Sequence, residues 1–475
     1  MSGQYTLTAF LFLSLISNLV YSQQWIDEKY EYDSLLNINY GSAINFNGTE
    51  TDLYLDLYLP KCDEPQLSSE WPLLIFIHGG AFIEGSKDDQ SIQQYCKSFA
   101  KRGYVTATVS YRLGFISDDV AWNCNYPNYE CIFATDTSEW IRAYYRGVQD
   151  IKGAIRYIVN RQNEYSVDPN NVFLAGESAG AFIAMGAGLM QEEERPLATF
   201  ALPDAPPPHN NALNCSYNSS EVFSGSISRP DLGSVEGTIE TSTTDYTIKG
   251  VGNFFGAMFN NLLLTSNPAK PKPSIYSFHQ PCDLIVPIDS RQALWGLDWC
   301  MTNGYNCYAI ANTPTAHGSQ TISNWNSDNN LEYQIENHFT ATSFPYSFLL
   351  GTASCIDQAN NPCHAYDNKS LREEELATFF SGLVTSGAIC TATGYQTHNQ
   401  FLEVYPNPAS SILTINTSNL SIESVKVYNL FGQRQNIQWN SNEHTIDISH
   451  LTNGCYWATI QSNSNEHLFF RFVKR

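Results

Sequence analysis

The distribution of apolar and polar positions along the chain separates two styles of folding. In "LYLDLYLP" (53–60), Leu53, Leu55, Leu57 and Leu59 alternate with Tyr54, Asp56 and Tyr58, the period of two that marks a strand with two unlike faces. "WPLLIFIHGG" (71–80) is apolar without interruption until it meets two glycines, as a strand buried on both faces would be. "YVTATVSYRLG" (104–114) is rich in β-branched residues and predicts another strand. Between 142 and 165 the period changes to that of a helix, with Val148, Ile151, Ile155 and Ile158 along one stripe. "VFLA" (172–175) then predicts a strand, and "AGAFIAMGAGLM" (179–190) the helix after it. Further strands are expected at 247–258 and 274–281. A last helix is expected at 370–384, with Ser370 and Glu373 placed as a capping box. Strands alternating with helices imply an α/β domain built on a mostly parallel sheet.

Two stretches depart from this rhythm. Residues 191–246 contain "LPDAPPPHNNALNCSYNSS" (202–220), a polar, loop-rich run that reads as a lid-like insertion over the sheet. Beyond residue 393 the pattern becomes short alternating strands separated by turns, predicting a small all-β sandwich at 400–475. The two prolines of "YPNP" (405–408) exclude a helix there and suggest a linker boundary.

Composition narrows the partners. The chain has 475 residues, 43% apolar and 15% charged, ample for a packed core. A formal net charge of −22, without any Lys/Arg run, argues against nucleic acid or anionic lipid as partners. The apolar segment 8–21 is followed by Ser22 and reads as a cleaved signal peptide (1–22). About 14 residues fall short of the ~20 that a spanning helix needs, so no membrane span is expected in the mature protein. Twelve cysteines in an exported chain point to disulfides. Cys124/Cys131, Cys300/Cys307 and Cys355/Cys363 are close enough to clip local loops. No C-x-x-C pair occurs and the histidines are scattered, so neither a metal nor a cofactor is expected.

The candidate chemistry lies where strands run into glycines. "GESAG" (176–180) places Ser178 between a strand and a helix, the G-x-S-x-G turn that exposes a serine hydroxyl. "HGGAF" (78–82) follows an earlier strand, and its glycines let backbone N–H groups turn inward, as an oxyanion hole requires. The order of the two motifs is the one an α/β-hydrolase demands. Together with "YRLG" (111–114), "DPNNVFLAGESAG" (168–180) and "HQPCDLIVP" (279–287), they make residues 35–390 similar to the α/β-hydrolase esterases, especially carboxylesterases and lipases.

That resemblance implies Ser178 as nucleophile and Asp283 as acid. It also implies an oxyanion hole from the N–H groups of Gly80, Ala81 and Ala179. The histidine must follow the acid, which leaves His317, His338 and His364. His364 precedes the last amphipathic helix, where this fold presents its imidazole, and is preferred, with His317 next. Structural hydrogen-bonding roles are expected of His279 and Glu177. The C-terminal module resembles the type IX secretion sorting domain of exported Bacteroidetes proteins, through "YPNPASSILTI", "VYNLFGQ", "LTNGCYWATI" and the end "FVKR". It implies passage through the type IX machinery to the surface or medium.

The expected molecule is therefore a signal peptide, an α/β-hydrolase domain (23–393) and a sorting domain (400–475), acting as an exported ester hydrolase. The alternatives are a silent surface-adhesion module on the same fold, a polysaccharide or polyester esterase, and a serine peptidase.

Overall fold

A computed structural model describes residues 24–61, 70–116, 134–205, 227–241, 244–265, 267–295, 313–340, 363–385, 402–417, 422–429, 434–462 and 467–475. The chain divides into two compact units, Met1–Cys390 and Thr391–Arg475. The 1–22 segment and Cys124, Cys131, Cys300, Cys307 and Cys355 lie outside the described residues.

The first unit is organised by an eight-stranded sheet. Its strands are β1 (Glu31–Ile44), β2 (Glu50–Lys61), β3 (Trp71–Ile77), β4 (Val105–Val109), β5 (Val167–Glu177), β6 (Ile248–Phe254), β7 (Ser274–His279) and β8 (Ile335–Phe339). Their spatial order is β1-β2-β4-β3-β5-β6-β7-β8. β1 pairs with β2, and β2 with β4, in antiparallel fashion, while every pair from β4 to β8 is parallel. This is the α/β-hydrolase arrangement.

Burial explains which strands the sequence made legible. Every residue of β3 and β4 is buried, so their apolar runs carry no alternation. β2 alternates only at its start. Tyr54 is exposed, but Asp56 and Tyr58 are buried along with Leu53, Leu55 and Leu57. Asp56 is accommodated by Lys87 Nζ at 3.0 Å and the Asn37 N–H at 2.7 Å.

Five helices matter here: α1 (Gln90–Lys101), α2 (Thr137–Val159), α3 (Ala179–Leu189), α4 (Ser319–Asp328) and α5 (Lys369–Ser381). α2 begins at Asp136, whose carboxylate accepts from the Ser138 N–H at 2.9 Å. α2 and α3 approach closely, because a Cβ on Gly147 would lie 2.6 Å from Ile183, and one on Gly186 2.3 Å from the Tyr144 hydroxyl. α5 starts one residue before the expected Ser370 cap. Its cap is Asn368, whose side chain accepts from Leu371 N. Glu373 is unavailable for a capping box because its carboxylate pairs with Arg102 at 3.0 Å and takes the Ser98 hydroxyl.

The described parts of 191–246 run along α2 rather than forming a free loop. Arg142 donates to the carbonyls of Ala198, Phe200 and Pro230, and Gln149 to those of Leu232 and Ser234. Arg156 reaches the Ile239 carbonyl and the Glu236 carboxylate. Each pairing satisfies a buried side-chain donor and an oxygen of the 191–246 stretch together. The stretch 206–226 lies outside the described residues.

The second unit is all-β. Its strands are β9 (Leu402–Tyr405), β10 (Ile412–Thr417), β11 (Ile422–Asn429), β12 (Arg434–Gln435), β13 (Gln438–Asn440), β14 (Thr445–Asp447), β15 (Gly454–Ser462) and β16 (His467–Lys474). They form two antiparallel sheets, β9-β10-β14-β13 and β12-β11-β15-β16. Leu413, Ile415, Val427, Ile446, Ala458, Ile460 and Phe472 make its core. Because β9 precedes "YPNP", the two prolines join strands inside this unit and do not mark its boundary. Strand ends tolerate proline's missing N–H.

Candidate active site

The site is assembled at the carboxyl ends of the parallel strands, where α/β sheets place their ligands. β5 ends at Glu177 and α3 begins at Ala179, so Ser178 alone makes the turn, at φ 52° and ψ −123°. Non-glycine residues seldom adopt this conformation, and such strain persists only where the surroundings enforce it. They do so here. The Ser178 N–H donates to the Phe254 carbonyl at 3.0 Å. A Cβ on Gly176 would stand 2.4 Å from the Gly180 backbone, and one on Gly180 2.2 Å from the Ile77 carbonyl. Both flanking glycines are therefore required by close approach of backbone.

The loop after β3 meets this turn from the other side. A Cβ on Gly79 would lie 3.3 Å from Ser178 Cβ, which fixes how closely the loop passes the hydroxyl. Gly80, Ala81 and Phe82 follow with φ of 105°, 50° and 66°, three consecutive residues in the left-handed region. The Tyr111 hydroxyl steadies the loop, lying 3.1 and 3.2 Å from the carbonyls of His78 and Gly79. His78 Nδ1 donates to the Gly79 carbonyl at 2.8 Å, and its ring stacks on Tyr111 at 4.4 Å. Burial pushes the His78 pKa down to about 4, against the smaller opposing effect of the Gly79 carbonyl, so the ring is neutral at pH 7.

Asp283 follows β7 and is buried. Its Oδ1 accepts from the N–H groups of Ile285 and Val286 at 2.8 and 2.9 Å. Its Oδ2 lies 2.8 Å from His364 Nδ1 and 3.4 Å from His279 Nε2. Burial alone would raise this carboxyl's pKa, but the two histidines outweigh it and hold the group below the usual aspartate range. His364 Nε2 in turn lies 2.7 Å from Ser178 Oγ. The edge of Phe255 packs against the imidazole, with ring centres 4.9 Å apart. Serine, histidine and aspartate thus form one continuous hydrogen-bonded chain, able to move a proton off the hydroxyl and hold the imidazolium.

The other histidines are engaged elsewhere. His317, in a short strand before α4, bonds Ser290 Oγ through Nδ1 at 2.8 Å and packs on Trp325. His338, in β8, lies 3.0 Å from Glu375 and 3.1 Å from Glu336. His279 donates to the Val286 carbonyl at 2.9 Å and takes the Ser319 hydroxyl at 3.1 Å, which braces the acid's turn. Among the described residues there is no cluster of three or more His, Cys, Asp or Glu suited to a metal.

Glu177 has the structural hydrogen-bonding role expected of it, and what the sequence did not reveal is the identity of its partners and the pairing of Cys363. Glu177 accepts from the Tyr366 hydroxyl at 2.7 Å and from Ser91 at 2.9 Å, which ties the segment after His364 to the nucleophile turn. Cys363 is bonded to Cys282, not to Cys355. A local partner close in sequence looked natural, but the fold brings the acid and histidine loops together across 81 residues. A signal was present in the repeated Pro-Cys preceding both Asp283 and His364.

Comparison with known proteins agrees with this picture. Residues 55–121 and 141–257 match the family model BD-FAE, and residues 403–474 match the secretion system C-terminal sorting domain. Over 118 residues the chain is 29% identical to gut esterase 1 of Caenorhabditis elegans, covering 25% of this chain and 18% of that protein. Over 139 residues it is 32% identical to human bile salt-activated lipase, covering 28% and 16%. The chain thus spans less than a fifth of either relative's length. A truncated carbohydrate esterase from gut microbiota aligns with 76% of this chain and 99% of its own, at 15% identity and a TM-score of 0.36. The chain is thus similar to the BD-FAE family over residues 55–121 and 141–257 of its α/β unit, and to the secretion system C-terminal sorting domain over residues 403–474.

Proposed function

We propose that this protein is an exported serine hydrolase that cleaves carboxylic esters, with Ser178 as nucleophile, His364 as general base and Asp283 as the acid. The observation that carries this reading is the His364 imidazole bridging Ser178 Oγ at 2.7 Å and Asp283 Oδ2 at 2.8 Å. A serine hydroxyl is a poor nucleophile at neutral pH, and an imidazole within hydrogen-bond reach removes its proton as it attacks. Asp283, accepting from Nδ1, fixes the tautomer that leaves Nε2 free to accept, then stabilises the imidazolium. Attack forms an oxyanion that the N–H groups of Gly80, Ala81 and Ala179 receive. The left-handed turn at 80–82 and the start of α3 at Ala179 support that assignment. Each such donor is worth about 2.7–4 kcal/mol in the transition state. His364 then protonates the leaving alcohol, and water, activated by the same imidazole, hydrolyses the acyl-enzyme. The C-terminal unit delivers the chain through the type IX machinery.

The test is hydrolysis of p-nitrophenyl esters of graded acyl length by the full chain and by Ser178→Ala. The reading expects turnover by the first and none above background by the second. A folded wild-type chain that turns over no ester would contradict it and favour a binding module.

A further inference from the structure

We propose that the Cys282–Cys363 disulfide is the positioning device of the acid–base pair, and that forming it turns ester hydrolysis on. This rests on the assignment of Ser178, His364 and Asp283 above. Cys282 immediately precedes Asp283 and Cys363 immediately precedes His364, so one covalent bond joins the backbones that present the two side chains. Both cysteines are buried, at 0% and 1% exposure, in a small apolar cluster with Leu284 and Trp295. Trp295 also donates to the Asp283 carbonyl at 3.0 Å, and Gln280 donates to that of Ala365.

The two loops differ in what else holds them. Asp283 is fixed within its own turn by the N–H groups of Ile285 and Val286. The side-chain partners of His364 are the two groups it works on and the edge of Phe255. Its backbone is therefore set by its neighbours. After it, Tyr366 is anchored on Glu177. Before it, Cys363 sits at φ 57°, a left-handed conformation that non-glycine residues keep only when the surroundings over-determine it. The disulfide supplies that constraint and aims the next residue. A displacement of about 1 Å at a reacting group can cost about 10²-fold in rate, so removing the bond acts on chemistry before it acts on folding.

Formation of the bond is a two-electron oxidation. A small-molecule or protein disulfide of the oxidising compartment accepts the electrons. One cysteine thiolate attacks it and expels a thiolate, and the second cysteine thiolate then attacks the mixed disulfide and expels the other. The two thiol protons end on the two released thiols. In a reducing compartment the pair stays as thiols, so the nascent chain is held inactive until it is exported.

The experiment compares the full chain with Cys282→Ala/Cys363→Ala on p-nitrophenyl acetate. We expect kcat to fall about 100-fold with KM changed less than about threefold, and the far-ultraviolet circular dichroism to be retained. Unchanged kcat overturns the proposal, and so does a loss confined to KM. If the double variant does not fold, the wild-type chain is reduced stepwise with dithiothreitol. Activity is read at each step, and aliquots are quenched with iodoacetamide for peptide mapping. Activity should track the fraction of the Cys282–Cys363 bond remaining and return with oxidised glutathione. Full activity with this bond opened overturns the proposal. Ser178→Ala, run alongside, separates the two failures. If it retains wild-type turnover, the catalytic assignment fails, whereas an active wild type, a dead Ser178→Ala and a fully active double variant sink only the disulfide inference.

Discussion

Ser178 sits in a turn that two glycines make possible, and their roles are steric. A methyl group at Gly180 would fall 2.2 Å from a carbonyl oxygen of β3, an atom that cannot retreat without breaking the sheet. Gly180→Ala is therefore expected to shift the turn, lower the melting temperature and abolish ester turnover. A variant of wild-type stability and rate would contradict the steric account. His364→Ala should cost about 10³-fold or more in kcat, while His317→Ala, with its ring on Trp325 and Ser290, should stay within a few-fold of wild type. His78 gives a pH signature. Its folded pKa of about 4 lies below the 6.5 of a free imidazole, so as pH falls through 6.5 the unfolded chain takes up the proton first. Stability should fall by about 3 kcal/mol between pH 6.5 and 4, and His78→Gln should flatten that slope in thermal melts. Asp283 acts lower down. Its depressed pKa contributes stability above the usual 3.8, which is lost as pH falls below that value. At this scale the motifs were legible because glycines and a serine recur at a fixed local spacing between a strand and a helix. Tyr366 and Cys282 were not, because their partners are distant in sequence.

Helix α2 is the element that ties the hydrolase unit together. Arg142 and Arg156 donate to carbonyls of the 191–241 stretch, Arg142 to three of them. Arg142→Leu would remove the donor that ties these three carbonyls to α2. Limited proteolysis should then cut the 191–241 stretch faster than in the wild type, with fluorophosphonate labelling of the serine intact. Unaltered cleavage would show that the clamp is not what holds the stretch. Among the elements read correctly from sequence, burial sets the pattern directly in the wholly buried β3 and β4. β1 gave no such signal. It pairs with β2 through two register shifts and leaves Leu35 and Leu36 exposed, so neither alternation nor an apolar run survives. α1 and β8 were missed as well. The expected cap at Ser370 failed for a related reason, since Glu373 is claimed by Arg102 from a distant helix.

At the scale of the whole molecule, the proposed function couples ester chemistry in the first unit to a sorting-domain match in the second. Removing residues 403–475 should leave the protein inside the cell, and its reappearance in the medium would contradict the role of the sorting unit. Mass spectrometry of exported material is expected to find a start near Gln23 and an end before about residue 400. The two-unit division was legible because the hydrophobic period changes from that of alternating helices and buried strands to that of short strands buried on one face. The prolines of "YPNP" do not mark the boundary, since they follow β9 inside the second unit. The central claim concerns one atom, Ser178 Oγ, made nucleophilic by His364. The most direct test is to treat the full chain with a fluorophosphonate and map the adduct by peptide mass spectrometry. The account predicts one adduct per chain, on Ser178, absent from Ser178→Ala and slowed by orders of magnitude in His364→Ala. An adduct on another residue, or equal labelling of Ser178→Ala, would contradict it.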